Sequence, residues 1–119
     1  MNIKRVVPNI TTARLDESRK FYVEFLGFVV AMDMEWILTV VSPDNPTAQI
    51  SLVRGEPGLP NNNLTLSIEV NDVEATHAKA VMTGLPIVYP LTIESWGVRR
   101  FHVKDPNGVL INIMSHAKP

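Results

Sequence analysis

"ESWGVRRFHVKDPNGVLINIMSH" (residues 94–116) decides how the rest of the chain is read. "VRRFHV" (98–103) and "VLINIM" (109–114) are rich in β-branched and apolar residues and suit strands. Between them "DPNG" (105–108) carries Pro and Gly at the second and fourth places of a type I turn. The stretch is therefore read as strand, turn, strand. Strand alternation puts Arg100, His102 and Lys104 on one face and Arg99 on the other. Either arginine can be the inward one.

Working back from this hairpin, "PIVYPLT" (86–92) reads as a further strand. "VEATHAKAVMT" (73–83) reads as a helix with Asn71 or Asp72 at its N-cap, Glu74 at capping-box spacing from Asn71, and Gly84 as its stop. "LTLSIEV" (64–70) precedes it as a strand. The first half repeats the order. "IKRVVPNITTA" (3–13) is a strand interrupted at Pro8. Asp16 caps a helix over "ESRKFYVEFL" (17–26), with Phe21/Phe25 and Tyr22/Leu26 paired at i, i+4 and Gly27 as the stop. Strands follow at "FVVAMD" (28–33), "WILTVVS" (36–42) and "AQISLVR" (48–54). The two helix-stopping glycines lie 84 − 27 = 57 residues apart. The expectation is an α+β protein of two βαβββ modules, about 1–54 and 64–116, joined by the Gly-, Pro- and Asn-rich linker 55–63. Each half alone would have a marginal core.

At 119 residues, 45% hydrophobic and 19% charged, the chain suits one globular domain. The net charge of −1 and the lack of a Lys/Arg run disfavour nucleic acid or an anionic membrane as partner. With no cysteine there is no disulfide, thiolate metal site or Cys nucleophile. The first apolar run is too short for a signal peptide, and no stretch approaches the ~18 apolar residues of a membrane span. A cytoplasmic protein is expected.

Several residues stand out. Gln49, Ser51, Thr65, Ser67 and Asn112 are polar residues within apolar strands, which suggests a polar, hydrated wall. Trp36 and Trp96 offer flat aromatic faces. An inward arginine would suit an anionic group on a ligand. His102 is the candidate general base, conditional on its face being the inner one. His77, mid-helix, reads as structural, and His116 lies at the end of the last strand. No paired carboxylates, Gly-rich phosphate loop or Ser-His-Asp arrangement is visible.

The βαβββ–βαβββ order, with "SRKFYVEFLGF" (18–28), "LSIEVNDVEATHAKA" (66–80) and "WGVRRFHVKDPNG" (96–108) leading to "LINIM" (110–114), resembles the glyoxalase/bleomycin resistance protein/extradiol dioxygenase superfamily, also called vicinal oxygen chelate proteins. The resemblance covers essentially the whole chain. It implies cup-shaped mixed sheets with helices outside and pairing of modules in a homodimer. It also implies four inner positions where metal-using members place His, Gln or Glu. Carried over by strand, these fall near Val7, at Ser51, near Thr65 and at Asn112. None is an imidazole or carboxylate, and shifting by one residue gives Pro8, Ile50 or Leu52, Leu64 or Leu66, and Ile111 or Ile113. The expectation is therefore no metal and no cofactor.

The pattern is most similar to the metal-free, bleomycin-resistance-like arm. That implies a small organic ligand, such as a drug or amphipathic metabolite, sequestered in a dimer cavity, with antibiotic resistance as one use. Ligand-binding residues expected on this reading are Trp36, Gln49, Ser51, Thr65, Trp96, Arg99 and Asn112. The alternative is a lyase, isomerase or dioxygenase-type enzyme with non-standard site residues, for which His102 is the catalytic candidate.

Overall fold

The computed structural model describes residues 1–55, 61 and 63–116. Most of the expected linker, residues 56–60 and 62, lies outside the described residues. The chain divides into two compact units, Met1–Asn61 and Asn62–Pro119.

In the first unit β1 (Asn9–Thr12) leads into α1 (Leu15–Arg19), which continues as a wider π-helical stretch over Lys20–Phe25. β2 (Val29–Met34), β3 (Ile37–Ser42) and β4 (Asn45–Arg54) follow. The sheet order is β1-β4-β3-β2, with β1 parallel to β4 and the other pairs antiparallel. The second unit repeats this plan. β5 (Thr65–Glu69), α2 (Val73–Met82), β6 (Tyr89–Ile93), β7 (Val98–Lys104) and β8 (Leu110–His116) form a sheet ordered β5-β8-β7-β6. Only β5 and β8 run parallel. Parallel partners need a long crossover, and each helix begins that connection.

The expected elements exist, with shifted ends. β1 is shorter than expected because regular pairing starts only after Pro8, whose carbonyl still accepts the Ser51 N–H at 3.0 Å. α1 starts at Leu15 rather than Glu17, and Asp16 makes no cap. Instead the Thr12 hydroxyl accepts the Arg14 N–H at 2.8 Å and lies 3.1 Å from the Ser18 hydroxyl. Asp72, not Asn71, caps α2, accepting the Ala75 N–H at 3.0 Å. Gly27 (φ +84°) and Gly84 (φ +74°) take the left-handed turns that end the helices. The Asn61 side-chain amide meets both backbone groups of Thr11, at 3.1 and 2.8 Å, and so supplies one ladder rung to the outer edge of β1.

Alternation then sorts the second sheet. Phe101, Val103, Ile111 and Ile113 have no exposed surface and share one face. α2 covers that face, with the His77 ring edge-on to Phe101 at 5.0 Å. Fully burying each such side chain contributes about 1.5–3 kcal/mol. The opposite face of β7 and β8 carries Arg100, His102, Leu110, Asn112 and Met114, all half-buried. It is called the open face below.

The β7–β8 turn is held by Asp105, only 4% exposed, whose Oδ1 accepts the Asn107 and Val109 N–H groups at 2.8 and 2.9 Å. Asp105→Ala should cost roughly 2–4 kcal/mol in urea denaturation, since two backbone donors lose their partner and one is buried. A loss under about 0.5 kcal/mol would show that the turn does not depend on this carboxylate.

Candidate functional site

Strand register lines up four open-face side chains in a single row. Tyr89 on β6 lies opposite His102 on β7, His102 opposite Asn112 on β8, and Asn112 opposite Ser67 on β5. The Tyr89 and His102 rings stack at 4.8 Å with 35° between their planes. Asn112 Nδ2 donates to Ser67 Oγ at 3.1 Å. Between them, His102 Nε2 and Asn112 Oδ1 are buried and have no hydrogen-bond partner of good geometry among the described residues. The amide still lies close enough to the imidazole to favour its protonated form. That effect is outweighed. Burial above all, and then the positive charge of Arg100, hold His102 below the ordinary histidine value, while Asn112 and Glu94 pull the other way.

Beside this row stands an aromatic and ionic cluster. Arg100 Nε and Nη2 both lie 2.8 Å from Glu94 Oε2, and the Tyr89 hydroxyl donates toward both Glu94 oxygens at 3.2 Å. The guanidinium centre is 5.3 Å from the Tyr89 ring centroid and 5.2 Å from that of Trp96, within cation–π range of both. Glu94 and Trp96 sit in the tight β6–β7 turn, closed by Glu94 N–H to Val98 O at 2.8 Å, with Gly97 at φ +94°. Trp96 is thus oriented by Arg100 yet remains 64% exposed. At the far end of β8, His116 Nδ1 lies 2.7 Å from Glu69 Oε2.

The residues singled out by sequence fall into different settings. Asn112 and Trp96 belong to the cluster. Thr65 is exposed on β5 opposite Leu110, so Asn112 has Ser67 and not Thr65 as its neighbour. Arg99 points to the helix side, where it pairs with Glu74 of α2. Arg100 is the arginine on the open face. His102 shares that face. In the first unit, Ser51 is 5% exposed and hydrogen-bonded at 2.8 Å to Thr39, its partner across β3 and β4. Gln49 contacts Arg5 and donates to the Pro46 carbonyl at 2.8 Å. Trp36, 56% exposed, sits in the β2–β3 turn with Glu35 and does not begin the strand as expected, since β3 starts at Ile37. Val7 precedes β1, and Asn9 is the residue opposite Ser51. The sequence reading left Tyr89 and Glu94 outside its list of site residues. The usable signal was the short "ESWG" turn, which sets the β6–β7 register and so brings Glu94 within reach of Arg100.

These donors do not fit the divalent metal that related proteins hold. Ser51 is bonded to Thr39, and neutral hydroxyls and amides, Asn112 among them, are weak ligands. Among the described residues, no three His, Asp or Glu side chains come together as a metal site.

Comparison with known proteins agrees with this architecture. The family model for the Glyoxalase/Bleomycin resistance protein/Dioxygenase superfamily matches residues 2–113, and the chain belongs to that superfamily. No curated protein matches it. Among solved structures it is similar to TnmS3, an antibiotic binding protein from Streptomyces sp. CB03234, at 25% identity and TM-score 0.83, covering 98% of this chain and 99% of that one. A bleomycin-binding protein complexed with bleomycin is 18% identical, with TM-score 0.74 and coverage of 96% and 99%. A bleomycin resistance determinant encoded on the transposon Tn5 is also 18% identical, with TM-score 0.76 and coverage of 96% and 98%. The last two likenesses carry the fold alone.

The lowered His102 pKa has a signed consequence. The unfolded chain takes up this proton near 6.5, and the folded chain only at lower pH. The stability tied to the neutral imidazole is complete above about pH 6.5 and is lost as pH falls through the folded-state value. Urea melts from about pH 7.5 down to about pH 5 should show this decline, and His102→Gln should flatten it. An unchanged slope in the variant would place the pH dependence elsewhere.

Proposed function

We propose that this chain binds an uncharged, planar organic molecule on the open face of its second sheet and holds it without making or breaking bonds. The observation that carries this is Trp96. A large ring held from one side by Arg100, yet left mostly exposed, is a ready stacking plate for a flat ligand. Pairing of Arg100 with Glu94, together with a neutral His102, favours an uncharged molecule over a strongly cationic one. Lys104 on the same face is exposed, and its charge is hydrated.

The ligand contact expected of Arg99 passes to Arg100 on this reading, joined by Trp96, Asn112, Ser67 and Thr65. In the first unit Trp36 is an exposed ring at its own sheet, while Gln49 and Ser51 serve mainly to hold that sheet. The binding is independent of metal, in keeping with the neutral donors, and takes place in the cytoplasm. The resemblance to an antibiotic binding protein supports a sequestering role, with a drug among the ligands. A homodimer is part of the proposal. Val29, Val30, Met32 and Met34 on β2, and Ile93 at the end of β6, are exposed apolar side chains that a second copy would cover.

The test uses 9-fluorenone as a flat, uncharged probe in equilibrium dialysis. Saturable binding is expected, the probe should be recovered unchanged, and Trp96→Ala should weaken binding about tenfold, since aromatic stacking contributes ~0.5–1.5 kcal/mol beyond the area it buries. Absence of saturable binding, or chemical conversion of the probe, would overturn the reading.

A further inference from the structure

The row across the second sheet does more than pack. We propose that Ser67 is the hydrogen-bond donor that recognises a carbonyl oxygen on the ligand, with Asn112 and His102 as positioning residues that keep its proton free. This rests on the binding reading above and narrows the ligand to flat molecules bearing a carbonyl-type acceptor.

A serine hydroxyl has one proton to give and two lone pairs to accept with. Ser67 Oγ already accepts from Asn112 Nδ2 at 3.1 Å, so that bond leaves the hydroxyl proton unused. Ser67 is exposed on the open face, so the proton is available to a bound molecule. Whether that proton stays free depends on which way the Asn112 amide points. Reversed, it would set its oxygen against Ser67 and take up the serine proton.

His102 fixes that choice. Its Nε2 and Asn112 Oδ1 are the two buried atoms of the row that have no hydrogen-bond partner among the described residues. Strand register sets their side chains next to each other. An N–H at Nε2 favours the amide oxygen on that side and opposes the NH2 group there, because donor would face donor. The imidazole is itself held by stacking on Tyr89, and the Tyr89 hydroxyl is held by Glu94. A chain of fixed orientations therefore runs from Glu94 through Tyr89, His102 and Asn112 to the Ser67 hydroxyl hydrogen.

The test compares 9-fluorenone with fluorene, which shares its ring system but lacks the carbonyl. Wild type should prefer fluorenone by about three- to tenfold, the worth of one net hydrogen bond. Ser67→Ala should abolish the preference by weakening fluorenone alone, and Ser67→Thr should keep it. His102→Phe retains a ring against Tyr89 and frees the amide to reverse. It should lower the preference for fluorenone over fluorene, whereas a merely structural role would weaken both compounds alike. A ratio unchanged in Ser67→Ala, or an equal loss for both compounds, overturns the assignment while the binding reading stands. If wild type binds neither compound, the binding reading fails and this inference with it.

Discussion

The parallel pairing of β5 with β8 is the constraint on which the candidate site depends. It joins residues some 45 positions apart in sequence and sets Ser67 beside Asn112. A strand can lie parallel to a later one only if the chain crosses over between them, and α2 with the β6–β7 hairpin fills that crossover. Once β8 is in the middle of the sheet, its odd residues face α2 and its even residues face away. Ile111 and Ile113 then build the core, while Asn112 cannot avoid the open face. The first unit obeys the same constraint through β1 and β4, with Ser51 in the place that Asn112 takes in the second. There the polar residue is absorbed by Thr39, and the sheet keeps a closed, satisfied pair.

Charge is handled in the second unit by local cancellation. Arg100 is only partly exposed, and a lone guanidinium there would lose much of its hydration. Glu94 supplies the countercharge, and Tyr89 and Trp96 supply two aromatic faces, which a weakly hydrated planar cation accepts readily. The same contacts orient Trp96 without covering it. Stability and readiness for a ligand thus come from one cluster, and a change to Arg100 is felt at Glu94, Tyr89 and Trp96 together. Effects of mutations within it are not expected to add.

Much of the fold was legible in the chain because its signals are local. Gly27 and Gly84 mark helix ends through their backbone freedom, Asp72 caps through its own side chain, and Asp-Pro-Asn-Gly encodes its own turn. The ends that moved did so where a tertiary contact overrode the local preference. α1 begins at Leu15 because Thr12 and Ser18 bind each other across its start, not because Asp16 caps it. β6 begins at Tyr89, although "PIVYPLT" suits a strand from residue 86, because the regular register with β7 starts there, one bond after the Val88 N–H meets the His102 carbonyl.

The sequence by itself determined the two βαβββ modules, since residue type, spacing and local backbone preference set them, and its motifs carried the resemblance to the superfamily. It also restricted Arg99 and Arg100 to opposite faces, because a pleat alternates. Only the tertiary structure decided which arginine is inward. That depends on the face α2 covers, and α2 brings Glu74 to Arg99. The row Tyr89–His102–Asn112–Ser67 was likewise beyond the sequence, because it needs the register of three strand pairs at once. A shift of one residue in any of them would turn a side chain to the other face.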